Sequence, residues 1–79
     1  MDVHYKGYKV FEGVWKAGLP EGEGLEFREN GTISYQGNWN KGEKSGKGEQ
    51  LLANGKVRYR GDFLKNMYFG KGMLYFISN

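Results

Sequence analysis

Three residue classes in this chain could do chemistry: clustered carboxylates, aligned lysines and recurring aromatic rings. Glu21, Glu23, Glu26 and Glu29 crowd together, but acid–base work needs two groups converging on one site beside a nucleophile or base. The stretch reads as strand, and strand alternation sends Glu23 and Glu26 to opposite faces. There is no EF-hand spacing for calcium. Gly22-Glu23-Gly24 is followed by neither a helix nor Gly-Lys-Ser/Thr, so it is no phosphate loop. His4 is the only histidine and there is no cysteine, which excludes thiolate or multi-histidine metal sites and disulfides. The carboxylates and His4 therefore read as solvated surface groups. No catalytic residue, no metal site and no cofactor is expected, and the chain reads as a non-enzyme.

The rings and lysines remain. Phe11, Trp15, Tyr35, Trp39, Tyr59 and Phe63 form a stripe with a strict period. One role for it is structural, with rings covering bare backbone. The other is a partner-binding face, because a one-layer sheet has no second layer to hide its rings. Lys41 and Lys65 share one column of that period, Lys47 and Lys71 another, and Lys44 lies between. Together they read as a basic edge, either a solvated guard against edge pairing or a contact for acidic lipid headgroups.

The period comes from an internal repeat, the first thing to seek in a chain this rich in glycine. The chain has 79 residues, 14 of them glycine, against roughly 7% in average proteins. Phe11, Tyr35 and Tyr59 stand 24 residues apart, and so do Gly13, Gly37 and Gly61, and Trp15, Trp39 and Phe63. All fourteen glycines fall into five such columns. The chain divides into one repeat domain: a partial unit at 1–10, then units at 11–34, 35–58 and 59–79.

Each unit reads as a pair of strands. In Ile33 to Asn40, Ile33, Tyr35, Gly37 and Trp39 alternate with polar residues, the pattern of a sheet with one apolar and one wet face. Second strands are expected at Gly22–Arg28, Gly46–Leu52 and Gly70–Phe76. Asn30-Gly31 and Asn54-Gly55 mark hairpins. A three-residue loop, Glu29-Asn30-Gly31 with Gly31 left-handed, places Phe27 opposite Ile33 and Leu25 opposite Tyr35, and the equivalent loop pairs Leu51 with Val57. The other connection, Lys16 to Glu21, reads as longer. Glycines inside strands are expected to lie beneath a neighbouring tryptophan or tyrosine ring. The fold class is all-β: a single-layer antiparallel meander of six to seven strands.

The unit Tyr35-Gln36-Gly37-Asn38-Trp39-Asn40-Lys41-Gly42-Glu43-Lys44-Ser45-Gly46-Lys47-Gly48 resembles the MORN (membrane occupation and recognition nexus) repeat at every fixed position. The first unit has Phe11 for tyrosine, and the third has Phe63 for tryptophan and Asn66 for glycine. The resemblance covers residues 9–76. It implies an extended sheet of stacked hairpins, non-catalytic, that binds partner proteins, often along the aromatic face, or self-associates.

Charge and hydropathy narrow the partners. The net charge is +3, too small alone to imply nucleic acid. Residues 1–34 carry a net charge of −2 and residues 35–79 one of +5. No apolar run approaches the roughly 20 residues of a membrane-spanning helix, and the polar N-terminus does not read as a signal peptide, so a cytoplasmic location is expected. The C-terminal strand, with Met73, Leu74, Tyr75 and Phe76, is apolar on both faces and is expected to self-associate or pair with another chain. The functional expectation is a protein-interaction or scaffold module that binds a partner through the aromatic face or the C-terminal edge strand, as a homodimer or heteromer. The alternative is a peripheral binder of acidic phospholipids.

Overall fold

A computed structural model describes residues 2–5 and 8–75, with side chains from Val10 onward. Seven strands follow in order: β1 (Asp2–Tyr5), β2 (Tyr8–Lys16), β3 (Leu19–Phe27), β4 (Ile33–Asn40), β5 (Glu43–Leu51), β6 (Val57–Leu64) and β7 (Met67–Leu74). Each pairs antiparallel with the next in one sheet of order β1 to β7. Among the described residues no second layer covers it, and its extents are 36 × 28 × 14 Å.

Two kinds of turn alternate. On one side, Glu29-Asn30-Gly31 and Ala53-Asn54-Gly55 are three-residue loops. The Gly31 N–H donates to the Arg28 carbonyl and the Arg28 N–H to the Thr32 carbonyl, and Gly31 takes φ +87°, where a side chain would be strained. Phe27 pairs with Ile33 and Leu51 with Val57 as the sequence suggests. The Arg28 guanidinium donates to the Ile33 carbonyl at 3.1 Å and also to the Leu51 carbonyl, tying one loop to the next.

On the other side the connection is tight, not long. Ala17-Gly18, Lys41-Gly42 and Lys65-Asn66 are two-residue turns with positive φ at both positions, the type I′ geometry that matches strand twist. The second strands therefore start at Leu19, Glu43 and Met67, three residues before the glycines expected to open them. Ala and Lys at the first left-handed position hide this turn from sequence. Its strain is offset by stacking: the Gly42 N–H donates to the Pro20 carbonyl at 2.9 Å and the Asn66 N–H to the Lys44 carbonyl at 3.2 Å.

The register differs from expectation at one point. Tyr35 lies opposite Glu26, not Leu25, because Ser34 is an extra residue in the ladder. The Ser34 hydroxyl donates to the Glu26 carbonyl at 3.1 Å and to its carboxylate at 3.0 Å. This bulge turns Glu26 onto the aromatic face and Leu25 onto the other.

Beyond the bulge, pairing places Gly13, Gly24, Gly37, Gly48, Gly61 and Gly72 in one row across six strands. Rings from the neighbouring row lie on it. A β-carbon on Gly24 would stand 2.7 Å from Cε1 of Phe11, and one on Gly48 or Gly72 would stand 2.6 Å from Cε1 of Tyr35 or Tyr59. The expected aromatic-over-glycine packing is present, with phenylalanine and tyrosine as the covering rings. Trp39 and Phe63 fit between them.

Gly48→Ala tests this contact without changing turn geometry. Overpacking of this kind typically costs about 1–3 kcal/mol, and a loss of about 2 kcal/mol is expected in urea denaturation. Lys47→Ala, one residue away on an exposed position, should cost under about 1 kcal/mol. Equal losses would show that the ring does not need bare backbone.

Candidate functional site

The aromatic stripe is a ladder of edge-to-face contacts. Successive ring centroids lie 5.2 Å apart from Trp15 to Phe11, from Phe11 to Trp39 and from Trp39 to Tyr35. The ladder continues at 4.9 Å to Phe63 and 5.2 Å to Tyr59, with all interplanar angles between 84° and 90°. Such pairs add about 0.5–1.5 kcal/mol each beyond area burial. Phe11, Tyr35, Trp39, Tyr59 and Phe63 are buried and Trp15 is half-buried against them. These rings are the core of the sheet. The Tyr35 and Tyr59 hydroxyls donate to the Asn38 and Asp62 carbonyls at 2.8 and 2.9 Å, and the Trp39 indole N–H to the Gly24 carbonyl at 3.3 Å.

At the C-terminal end the ladder is closed from within. Tyr68 stacks on Tyr59 at 3.9 Å and 12°, in the place where Lys44 lies over the Tyr35 ring in the unit before. Tyr59 is accordingly only 4% exposed. Sequence reasoning passed over Tyr68. The signal was its column, which runs Pro20, Lys44, Tyr68, and in which Lys44 and Tyr68 lie over the Tyr35 and Tyr59 rings.

The five lysines do not form one edge. Lys41 and Lys65 sit at the tips of stacked turns and are exposed. Lys44 lies on the aromatic face, 5.2 Å over the Tyr35 ring and 3.2 Å from the Glu26 carboxylate. Lys47 and Lys71 lie on the opposite face, Lys47 paired with Asp62 at 2.6 Å. Alternation and bulges distribute these columns across both faces and the turn tips.

That opposite, outer face carries one cross-strand row of Glu12, Leu25, Gln36, Glu49, Arg60 and Met73. Its middle dips into an open groove lined by Gln36, Asn38, Lys47 and Glu49 among others. The Gln36 amide and then the Arg60 guanidinium, both donating to Glu49, hold its carboxyl below the usual range against some desolvation. Among the described residues no three His, Asp or Glu side chains come together to hold a metal.

β7 is exposed along its whole length. Met67, Tyr68, Phe69, Met73 and Leu74 are 43–66% exposed, and alternation puts Tyr68 and Leu74 on the aromatic face and the other three on the outer face. Tyr75 follows, its N–H donating to the Arg58 carbonyl at 2.9 Å and its ring 6.0 Å from the Arg60 guanidinium. Phe76 lies outside the described residues. Most of the accessible apolar surface of the last hairpin thus lies on its outer strand, with Leu64 of β6 beside it, while the named rings are largely enclosed.

Compared with known families, the sequence profile of the MORN repeat matches residues 11–33, 35–57 and 59–79. The chain belongs to the MORN repeat family. MORN repeats are non-enzymatic modules that generally engage proteins or membranes. Two of the glycine columns of the MORN unit are here the row beneath the rings, and its Tyr/Phe and Trp columns are the ladder. Comparison with curated proteins finds none that matches.

Burial, chiefly, pushes the Tyr35 hydroxyl up to about 12; its bond to Asn38 opposes this and the Glu26 charge adds to it. A tyrosine raised above its unfolded value of about 10 gives stability that is full below pH 10 and fades as pH rises toward 12. Thermal melts should therefore show a loss across pH 10–12, and Tyr35→Phe should lose less across that window despite a lower starting stability. Parallel curves would place the alkaline transition in another group.

Proposed function

We propose that this MORN-repeat chain is a non-catalytic interaction module that accepts an extended segment of a protein partner at the outer edge of β7. The aromatic face contributes where it is open, at Tyr68 and Leu74. The observation that carries this reading is the exposure of apolar side chains on both faces of β7. Edge strands without a partner ordinarily carry charges that discourage pairing, and here Lys71 is the one charge between Met67 and Leu74. An added strand gains main-chain hydrogen bonds and packs apolar groups above and below the sheet.

A labelled peptide of residues 67–77 serves as a defined probe strand. Its fluorescence anisotropy should rise saturably with native protein, and Leu74→Lys in the protein should weaken binding at least about tenfold, since the new charge would be desolvated. No saturable binding, or binding indifferent to Leu74→Lys, would reject the edge as the site.

A second reading rests on the exposed lysines at the stacked turn tips, which suit an acidic phospholipid surface. Vesicles containing phosphatidylserine should then sediment the native protein, and Lys41→Glu with Lys65→Glu should abolish co-sedimentation with folding unchanged.

A further inference from the structure

The two ends of the outer face carry opposite charge and similar apolar content. On β3, alternation puts Leu19, Glu21, Glu23 and Leu25 there; on β7 it puts Met67, Phe69, Lys71 and Met73 in the same four columns. Leu19 is 46% exposed, and Met67, Phe69 and Met73 are 66, 55 and 61% exposed. Glu23 and Lys71 are both exposed. Glu23 sits where Lys71 sits, and the two leucines sit where the two methionines sit. Methionine adapts its shape to whatever packs on it. The strand between them, β5, presents polar groups already held within the chain: Lys47 by Asp62, and Glu49 by Gln36 and Arg60.

We infer that the outer face binds the outer face of a second copy of this chain. The dimer would be a two-sheet sandwich whose two-fold axis runs parallel to the strands, midway between the sheets and over β5. This rests on the reading of the chain as an interaction module and names a partner for a different surface. The axis sets β3 of one copy over β7 of the other, twice. β3 and β7 run in the same direction, so each column meets its own equivalent: Leu19 over Met67, Glu21 over Phe69, Glu23 over Lys71, Leu25 over Met73, with the Glu21 carboxylate held by the Lys41 N–H at 3.1 Å. A two-fold axis perpendicular to the strands at the row of Glu23 and Lys71 would set β3 over β3 antiparallel and oppose Glu23 to Glu23 and Lys71 to Lys71. The central groove stays wet between the copies, over side chains whose bonds are made. The five overlapping strands, β3 to β7, make a face about 24 Å wide at the usual strand spacing and 28 Å long, or ~670 Å² per copy, somewhat below the ~800 Å² that each partner contributes to a standard interface. Aligned sandwiches of this kind pack sheets about 10 Å apart with a twist near 30°.

Sedimentation velocity across a concentration series is the test. Native protein should dimerise. Glu23→Lys and Lys71→Glu should each weaken the dimer about tenfold, because each change acts at two sites and sets like charges face to face. The combination of both should return the dissociation constant to within about threefold of native. That restoration is specific: β3 and β7 lie four strand spacings, about 19 Å, apart in one sheet, so Glu23 and Lys71 meet only between copies. Circular dichroism and melting of each variant separate lost folding from lost association, and the double variant provides the same control internally. Leu74→Lys, on the aromatic face, should leave this dimer unchanged even where it abolishes peptide binding at the β7 edge. A monomer at every concentration up to about 1 mM would overturn the inference. So would a dimer indifferent to Glu23→Lys, single losses without restoration, or a dimer broken by Leu74→Lys alone.

Discussion

The sheet depends on the approach of a ring to backbone that has no side chain. Phe11, Tyr35 and Tyr59 each lie across the glycine pair of their own hairpin, close enough that no β-carbon fits beneath. Glycine in a strand ordinarily costs roughly 0.5–1 kcal/mol against alanine, and six of them in one row would leave a weak line across the sheet. Here that line is what lets the rings lie down. With the rings flat, the tyrosine hydroxyls reach backbone carbonyls in the same strand, and the next ring of the ladder fits edge-on against the last. A single layer thereby obtains a core without a second sheet.

The same packing divides labour between the two faces. The aromatic face spends its rings on itself and keeps little for others, apart from half-buried Trp15 at one end and Tyr68 with Leu74 at the other. Among the described residues the outer face has no such ladder, and it varies from unit to unit. Equivalent positions run Glu21, Ser45, Phe69 and Leu25, Glu49, Met73, while the ring and glycine columns barely change. The aromatic face varies too, but beside its fixed rings, at Pro20, Lys44, Tyr68 and at Glu26, Gln50, Leu74.

Most of this architecture was legible in the residues. The period of 24 and the five glycine columns state the repeat, Asn-Gly states the three-residue loops, and alternation states which side the rings take. Three features were not. The type I′ turns were hidden because Ala17, Lys41 and Lys65 occupy a left-handed position that favours glycine or asparagine, and only the stacking of turn on turn makes this tolerable. The bulge at Ser34 was hidden because one extra residue leaves no mark on composition. The lysines were read as one edge because columns in a sequence do not reveal which face or turn they reach once bulges intervene. The end cap by Tyr68 was written in the sequence, but as a substitution in a column that carries no fixed residue.

Among the described residues each ring in the ladder meets the ring before it and the ring after it, with Tyr68 closing on both Phe63 and Tyr59 at the end, and the second and third tight turns bond to the hairpin before them. The array is in this sense a one-dimensional lattice with nearest-neighbour coupling. Its free energy is a sum of unit terms and junction terms, so duplicating 24 residues would lengthen the sheet by one hairpin and add one junction without disturbing the others. Losing one ring would break the lattice into two shorter pieces. Cooperativity would then fall with distance from the break, and the described hairpins would melt as neighbours, not as a single block.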